Sequence, residues 1–378
     1  AASGLRSIRY YKEIKGVKEI NVNDLDPAAV AQAHENVKFN NAPPSIVVPQ
    51  QGDAITYMYS CREDKAKQFD VIDLDPYGSC TPFIDAALQA IKDGGMINIT
   101  STDMSVLSGG QSPESCFSKY RSFPVPHAPY LHEFALRIIL NTLETSANRY
   151  GKTVVPLASF GIDFYVRLFV RVFDSKAAAK KSSLKIGYVH QSMACPSFHT
   201  VPTAMMSNTG KSYVPSTIPL EKCEETGGKF KVAGPIWLDP IHDFAVVDDA
   251  LRRCSVEDRE REYPLGTKAR LHGLLTSVSE ELGDVPLFYK LDDLASTLRL
   301  TMPKLNNFKA ALMNAGYRVS AQHKEPLAIK TDAPNGVIWD ILRCHEKLNP
   351  VADKRKLSKK ERVRLNKANG KRANYKGG

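Results

Sequence analysis

The 378-residue chain has no run of about 18 consecutive apolar residues. Stretches such as FYVRLFVRVF are cut by Arg167 and Arg171, so no membrane-spanning helix is predicted and no membrane partner is expected. A disulfide framework is also missing. The seven cysteines, at 61, 80, 116, 195, 223, 254 and 344, are odd in number and scattered, which suits a reducing compartment. The opening AASGLRS shows no initiator Met and no signal-peptide h-region, and no strand precedes its first turn. It reads as a fragment that begins partway through a motif. There is no internal repeat, and no G-x-G-x-x-G of the kind that cradles a dinucleotide.

An excess of positive charge is missing too, except in one place. Of the net charge of +10, the segment from Val351 to Gly378 supplies +9, eleven Lys or Arg against Asp353 and Glu361, which leaves about +1 for everything before it. The basicity therefore belongs to a tail, expected to be disordered, whose functional readings are nuclear import or a phosphate-attracting arm.

What is present is a chain of 43% hydrophobic residues, enough for a large core and two domains. Residues 1–175 alternate helical and strand patterns: a helix over Gly4–Ile14, strand VKEINVND, a helix over Pro27–Phe39, strand SIVVPQ, a helix over Asp53–Arg62, then FDVIDLD, a helix after Pro82, GGMINITST, a long helix over Tyr130–Tyr150, KTVVPLASFG and FYVRLFVRVFD. That order predicts a doubly wound α/β sheet ending in an antiparallel pair around Gly161, with a ligand cleft at the strand C-termini. DSKAAAKKSS, from Asp174, reads as a linker. Beyond it, KARLHGLLTSVSEEL places Leu271, Leu274, Leu275, Val278 and Leu282 on one helical face. LDDLASTLRL, PKLNNFKAALMNAGY, YRVSAQH and PLAIKT then predict helix, turn, helix and hairpin, the order of a winged helix. Lys304, Asn306, Asn307 and Lys309 fall on polar positions of the second helix.

Three turns follow three early strands, each carrying a residue that a nucleoside ligand needs. SGLRS opens a helix whose N-terminal N–H groups are available to an anion, with Arg6 as a charged clamp. Asp24 ends a strand where a carboxylate can accept ribose hydroxyls. Asp53 ends the next, placed for an adenine amine, with the Ala54 N–H beside it. Each position alone also fits a helix cap, as Asp26 and Pro27 do; the succession carries the joint reading. S-adenosylmethionine is the favoured ligand.

FDVIDLDPYGSC runs an apolar strand into Asp75, Pro76 and Tyr77. A purine exocyclic amine is a weak nucleophile because its lone pair is delocalised into the ring. Methyl transfer to it needs orientation, a water-poor site and acceptors for its N–H protons. Asp75 and the Pro76 carbonyl provide acceptors, Tyr77 provides a stacking face, and Gly78 permits the tight exit. A helix cap at Asp75 is the structural alternative. Asp103 in TSTDMS lines the same cleft or caps a loop. His132 and Glu133, opening the long helix, fit a capping pair or an interdomain contact. His242 in DPIHD fits a satisfied structural histidine.

AASGLRSIRYYKEI, NVNDLDP, QGDA, DLDPYGS, TSTDMS, HEFALRIIL, AGPIWLDPIHD and IKTDAP together resemble the tRNA guanine-26 dimethyltransferases, in order and up to about Leu348. The resemblance implies a Rossmann-like methyltransferase domain over 1–175 with its first strand missing, a C-terminal α+β domain over 176–348 that binds tRNA and contains the winged-helix-like part, and a basic tail over 349–378. It implies methylation of the exocyclic amine of guanine-26 from S-adenosylmethionine, with cofactor contacts at Arg6, Asp24, Asp53 and Ala54 and base contacts at Asp75, Pro76 and Tyr77. It also implies that the base is extruded from folded tRNA. Many relatives carry two C-x-x-C pairs where this chain reads SMAC (Ser192, Cys195) and CEET (Cys223, Thr226), so no metal is expected. The rival readings are a non-catalytic tRNA-binding paralogue and an adenine amino methyltransferase. The tail points to the nucleus, with a mitochondrial address as the alternative. Oligomeric state has no signature here.

Overall fold

The computed structural model describes residues 1–350 apart from 111, 211, 218–220 and 256–264; the basic tail from 351 onward lies outside the described residues. The chain begins with α1 (Leu5–Glu13), β1 (Ile20–Asp24), α2 (Pro27–Phe39), β2 (Val47–Gln51), α3 (Ala54–Cys61), β3 (Phe69–Leu74), α4 (Thr81–Ala90) and β4 (Ile91–Ser101). Short helices α5 (Met104–Leu107) and α6 (Pro113–Tyr120) lead to α7 (Leu131–Asn148) and the hairpin of β5 (Lys152–Ile162) and β6 (Tyr165–Asp174). β1 and β2 pair in parallel. β3 and β4 pair in parallel, and β6 joins β4 and β5 antiparallel, giving the order β3-β4-β6-β5. The mixed α/β sheet and the antiparallel pair at Gly161 match the sequence expectation.

Among the described residues the two sheets share no strand pairing. They also have separate cores. Ile8, Val22, Ala33, Val37, Ala42 and Val47 close one small cluster under α1 and α2, while the four-stranded sheet belongs to a large cluster that runs from Met58 to Leu342. Val71 of β3 is 46% exposed although its neighbours Ile72 and Leu74 are buried.

The segment expected as a linker instead forms two single-turn helices, α8 (Lys176–Ala179) and α9 (Ser182–Lys185), before β7 (Ile186–Ser192). The Ser175 hydroxyl caps α8 by accepting from the Ala178 N–H at 3.2 Å, a signal submerged in the Lys- and Ala-rich composition. β8 (Phe198–Pro202) and β11 (Phe230–Trp237) flank β7 in an antiparallel sheet, with the small pair β9 (Ala204–Met206) and β10 (Tyr213–Pro215) beside it. α10 (Phe244–Ser255) and α11 (Lys268–Ser279) then cover one face of β5, where Val247, Leu275 and Val278 meet Ala158 and Phe160. Leu282, placed by periodicity on the same helical face, falls beyond the end of α11. The last part is β12 (Tyr289–Lys290), α12 (Leu291–Thr297), α13 (Leu305–Asn314), β13 (Val319–Ser320), β14 (Ala328–Thr331) and α14 (Asn335–Leu348), with β14 central in a three-stranded sheet.

α7 joins the two halves. Twelve of its 18 residues are buried, on every side, so it reads as an interior helix rather than an amphipathic one. Glu133 and Arg137 are satisfied together with the C-terminal half, while Glu144 accepts from the Thr153 hydroxyl and the Val154 N–H of β5. Glu133 takes Lys330 at 3.0 Å, Arg137 at 2.9 Å and the Leu287 N–H at 2.8 Å, while Arg137 also donates to the carbonyls of Trp237 and Asp239. Burial works to raise the Glu133 pKa, but Lys330 and Arg137 pull it down to about 2. Glu133 is thus the interdomain contact, not a local cap. Below it, the His242 Nδ1 accepts from the Ser159 N–H at 3.3 Å, and burial depresses this imidazole to about 3.

Two outcomes follow from this seam. Glu133→Gln leaves two buried cations short of a counter-charge and should lower stability by about 3–5 kcal/mol in urea unfolding. His242 takes up a proton near 3 when folded against 6.5 when unfolded, so the unfolded chain binds more protons in between. Its contribution to stability should therefore fall as pH drops below 6.5, by up to about 1.4 kcal/mol per pH unit. The Glu133 contribution is lost only below about 4.5. His242→Gln should flatten the stability profile between pH 6.5 and 4.5.

Candidate active site

The residues singled out by sequence gather along one edge, where β1, β2 and β3 end. Gly4 caps α1 in the left-handed region at φ 70, and a Cβ there would stand 3.3 Å from the Ala33 Cβ. Glycine lets the first turn of α1 sit directly on α2. That turn reaches Asp24: the Ala2 N–H donates to Oδ2 at 2.8 Å, while the Asp26 N–H donates to Oδ1 at 3.0 Å. The turn after β2 is tied to the same place, since the Gly52 N–H donates to the Asp24 carbonyl at 3.0 Å and the Asn23 amide to the Gly52 carbonyl at 2.8 Å.

Asp53 is the N-cap of α3; its Oδ2 accepts from both the N–H and the hydroxyl of Thr56, at 2.8 and 2.7 Å. Those bonds lower its pKa. Ala54 opens α3, so its N–H has no acceptor within the helix. Asp26 caps α2, accepting from the Ala28 N–H at 2.9 Å, with Pro27 at the first helical position.

Asp75 is not a cap. α4 begins six residues later, and the Asp75 carboxylate instead faces Arg6, whose guanidinium donates to it at 2.7 Å and to Asp73 at 3.1 Å. Tyr77 is fully exposed, at 101%. Gly78, at φ 83, makes the exit that the turn requires, and its N–H and carbonyl are pinned to Thr102 at 2.8 and 3.0 Å.

Several groups of this edge escaped the sequence reading. Asp73 is its electrostatic centre: it binds Arg167 through two bonds of 2.9 Å, Arg6, and the Tyr10 hydroxyl at 2.6 Å. Burial raises the Asp73 pKa and the Arg167 fork more than reverses it, so the group is held below the ordinary carboxylate range. Asp73 near the end of β3 and Asp75 just beyond it both reach Arg6, and their two-residue spacing is the signal that alternation offered. Arg167 had served only as an interruption of an apolar stretch. Behind the turn, Tyr120 is a second node. Its hydroxyl meets Ser79 at 2.8 Å, Ser101 at 3.0 Å and Asp103 at 2.8 Å. Asp103 therefore lies behind the Asp75 turn, with Oδ2 buried and unpartnered except for Lys119 at 3.9 Å.

His242, Glu281 and His323 present ligand-type atoms within 4.8 Å of one another. Backbone N–H groups of Ser159 and Gly161 occupy His242 Nδ1 and His323 Nε2, at 3.3 and 3.1 Å, which assigns the ring protons to the other two nitrogens. A protonated ring nitrogen has no lone pair for a metal, and His323 Nδ1 spends its proton on Glu281 at 2.7 Å. Lys330, 3.9 Å from Glu281, adds positive charge. His323 and Glu281 form a hydrogen-bonded pair, and His242 Nε2 is buried beside it without a partner.

A mixed α/β sheet that gathers carboxylates, an arginine and helix N-termini at its strand ends, joined to an α+β C-terminal part, defines the Rossmann-like methyltransferase class. The chain belongs to the family described as N2,N2-dimethylguanosine tRNA methyltransferase, which matches residues 1–343. It is 44% identical over 356 residues to tRNA (guanine(26)-N(2))-dimethyltransferase 2 of Arabidopsis thaliana, covering 93% of this chain and 59% of that protein. It is 37% identical over 366 residues to the mitochondrial tRNA (guanine(26)-N(2))-dimethyltransferase of Saccharomyces cerevisiae, covering 93% of this chain and 64% of that protein. The chain thus spans less than two thirds of the length of these relatives. Trm1 from Pyrococcus horikoshii, solved with S-adenosyl-L-methionine, superposes with a TM-score of 0.76 at 26% identity, over 90% of this chain and 85% of that one.

Tyr120→Phe removes one hydroxyl from three partners without changing volume. It should destabilise the protein by about 1–3 kcal/mol in chemical unfolding, and amide exchange at Gly78 and Thr102 should rise more than in the core of α7.

Proposed function

We propose that this chain is the catalytic body of an S-adenosylmethionine-dependent methyltransferase acting on the exocyclic amine of guanine-26 in tRNA, adding one or two methyl groups. The observation that carries the reading is the Asp75–Pro76–Tyr77 turn: a carboxylate held against Arg6 at 2.7 Å beside a fully exposed aromatic ring, on a loop pinned to the next strand. The names of its relatives specify guanine-26. In this reading residues 1–175 form the methyltransferase domain, 176–348 the tRNA-binding domain and 349–378 a basic arm.

The residues present fit the cofactor. The close seating of Gly4 on Ala33 opens the first turn of α1, the turns at Asp24 and Gly52 are fastened together, and the Ala54 N–H is free of the helix ladder. Arg6 would hold the carboxylate of S-adenosylmethionine, Asp24 its ribose, and Asp53 with Ala54 its adenine. When bound, the cofactor supplies an electrophilic methyl group. Asp75 accepts an N–H of the purine amine and the Pro76 carbonyl accepts the second, which holds the amine so that its nitrogen can pyramidalise and its lone pair leave conjugation with the ring. Tyr77, with no protein neighbour over its ring, stacks on a base extruded from the tRNA.

Lys304, Asn306 and Asn307 are exposed on and before α13 and suit phosphate contacts in the C-terminal half. The basic tail supports nuclear residence. The yeast relative's name supports a mitochondrial pool.

The full-length protein, given labelled cofactor and tRNA with guanosine or adenosine at position 26, should label only the guanosine RNA, and nucleoside mass spectrometry should return N2-methylated guanosine. Equal labelling of both RNAs ends the assignment, a methylated adenosine moves it to adenine, and salt-sensitive binding without turnover makes the protein a non-catalytic binder. Asp75→Ala should slow transfer by about 100-fold or more while cofactor affinity stays within a few-fold. Joint loss of both would make Asp75 structural.

A further inference from the structure

SMAC and CEET, which methyl transfer leaves unused, meet in space. Cys195 Sγ and Cys223 Sγ lie 3.6 Å apart, and both residues are buried. Ser192 Oγ stands 3.4 Å from Cys195 Sγ. Cys223 opens a tight turn in which its N–H donates to the Gly228 carbonyl at 2.8 Å and the Gly227 N–H returns to its carbonyl at 2.7 Å. That turn aims the Thr226 hydroxyl and the N–H groups of Glu225 and Thr226 at the Cys223 sulfur, and the Ser192 hydroxyl reaches it from the facing segment.

No other sulfur in the described residues has this environment. Cys80 and Cys116 are buried and pushed up to about 12 by burial, so they stay protonated at neutral pH. Cys61 and Cys254 are buried with no sulfur partner, and Cys344 is exposed and alone. Around Cys223, burial alone would favour the thiol, but the converging donors outweigh it and bring the group to about 7. Cys223 is thus drawn toward the thiolate beside a second thiol.

We infer that Cys195 and Cys223 are a reversible modification site, a dithiol that a peroxide closes to a disulfide. The Cys223 thiolate attacks one oxygen of hydrogen peroxide; the S–O bond forms as the O–O bond breaks, and the departing hydroxide leaves as water after taking a proton. Cys195 Sγ then attacks the sulfenic sulfur, the S–S bond forms as the S–O bond breaks, and the second oxygen leaves as water with the Cys195 proton. One dithiol and one peroxide give one disulfide and two waters. The sulfurs must close from 3.6 Å by about 1.5 Å. The bond would staple the β7–β8 turn to the 222–229 turn. Both already touch α14, through Trp339 to Ser197 at 2.7 Å and Arg343 to Glu225. This inference does not rest on the methylation reading, and its test contains neither RNA nor cofactor.

The reduced full chain is treated with hydrogen peroxide at neutral pH, its remaining thiols are alkylated, and its peptides are mapped. The expected result is a Cys195–Cys223 cross-linked peptide, removed by dithiothreitol, with the loss of two of the seven thiols and a rise in Tm. Cys344→Ser should leave it unchanged. Cys195→Ser should trap Cys223 as a sulfenic acid that reacts with dimedone, and Cys223→Ser should abolish oxidation at Cys195. Oxidation of Cys344 with no cross-link, or a persistent dimedone adduct on Cys223 in the unmutated chain, overturns the inference. Should either variant fail to fold, the peptide map of the unmutated chain decides alone.

Discussion

The docking of α1 on β3, through Arg6 and Tyr10 to Asp73, is the contact on which the geometry of this protein depends. The β1–β2 module has its own small core, and no strand of it pairs with β3 among the described residues. Sheets ordinarily carry such alignment through a continuous hydrogen-bond ladder. Here α1 does it instead: its apolar side is buried with Val22 and Ala33, and its polar side reaches β3 through Arg6 and Tyr10. The turns at 24 and 53 stand near the turn at 75 because that helix is clamped at both faces.

A second constraint fixes the other side of the edge. α7 is buried nearly throughout, and its Glu133–Arg137 pair is completed by Lys330, Leu287 and the carbonyls of Trp237 and Asp239. A buried carboxylate with two cations gains little net energy over an apolar contact of the same shape, but it tolerates very few arrangements. The C-terminal half is therefore registered against the helix, and through β5 against the sheet. The large core confirms this continuity, since it crosses from Leu136 to Trp237, Phe288 and Trp339 without a break.

Strand and helix order was legible because apolar periodicity and turn residues mark them one at a time: Asp26 with Pro27, Gly78 and the run FDVIDL each act locally. The Asp24, Asp53 and Asp75 turns were legible for the same reason. What stayed hidden was pairing across long separations. Arg167 meets Asp73 across 94 residues and Lys330 meets Glu133 across 197, and no local pattern announces either. Asp174–Ser183 was misread as a linker because its composition is that of a loop, while a single Ser175 cap and contact with neighbouring elements suffice to fold two short turns.

The two arginines on Asp73 differ in a way that matters for a reacting group. Arg167 and Asp73 are 12% and 15% exposed, and each has a further partner, in Thr100 and in Tyr10. Separating them would strand charges in a dry place at a cost of several kcal/mol. Arg6 and Asp75 are 45% and 43% exposed, so their attraction is screened and worth about 0–1 kcal/mol. Asp75 and Arg6 can thus part at little expense and take other partners. Meanwhile Asp73 and Arg167 keep the strand end where it is. The arrangement separates the ion pair that holds the frame from the one that yields.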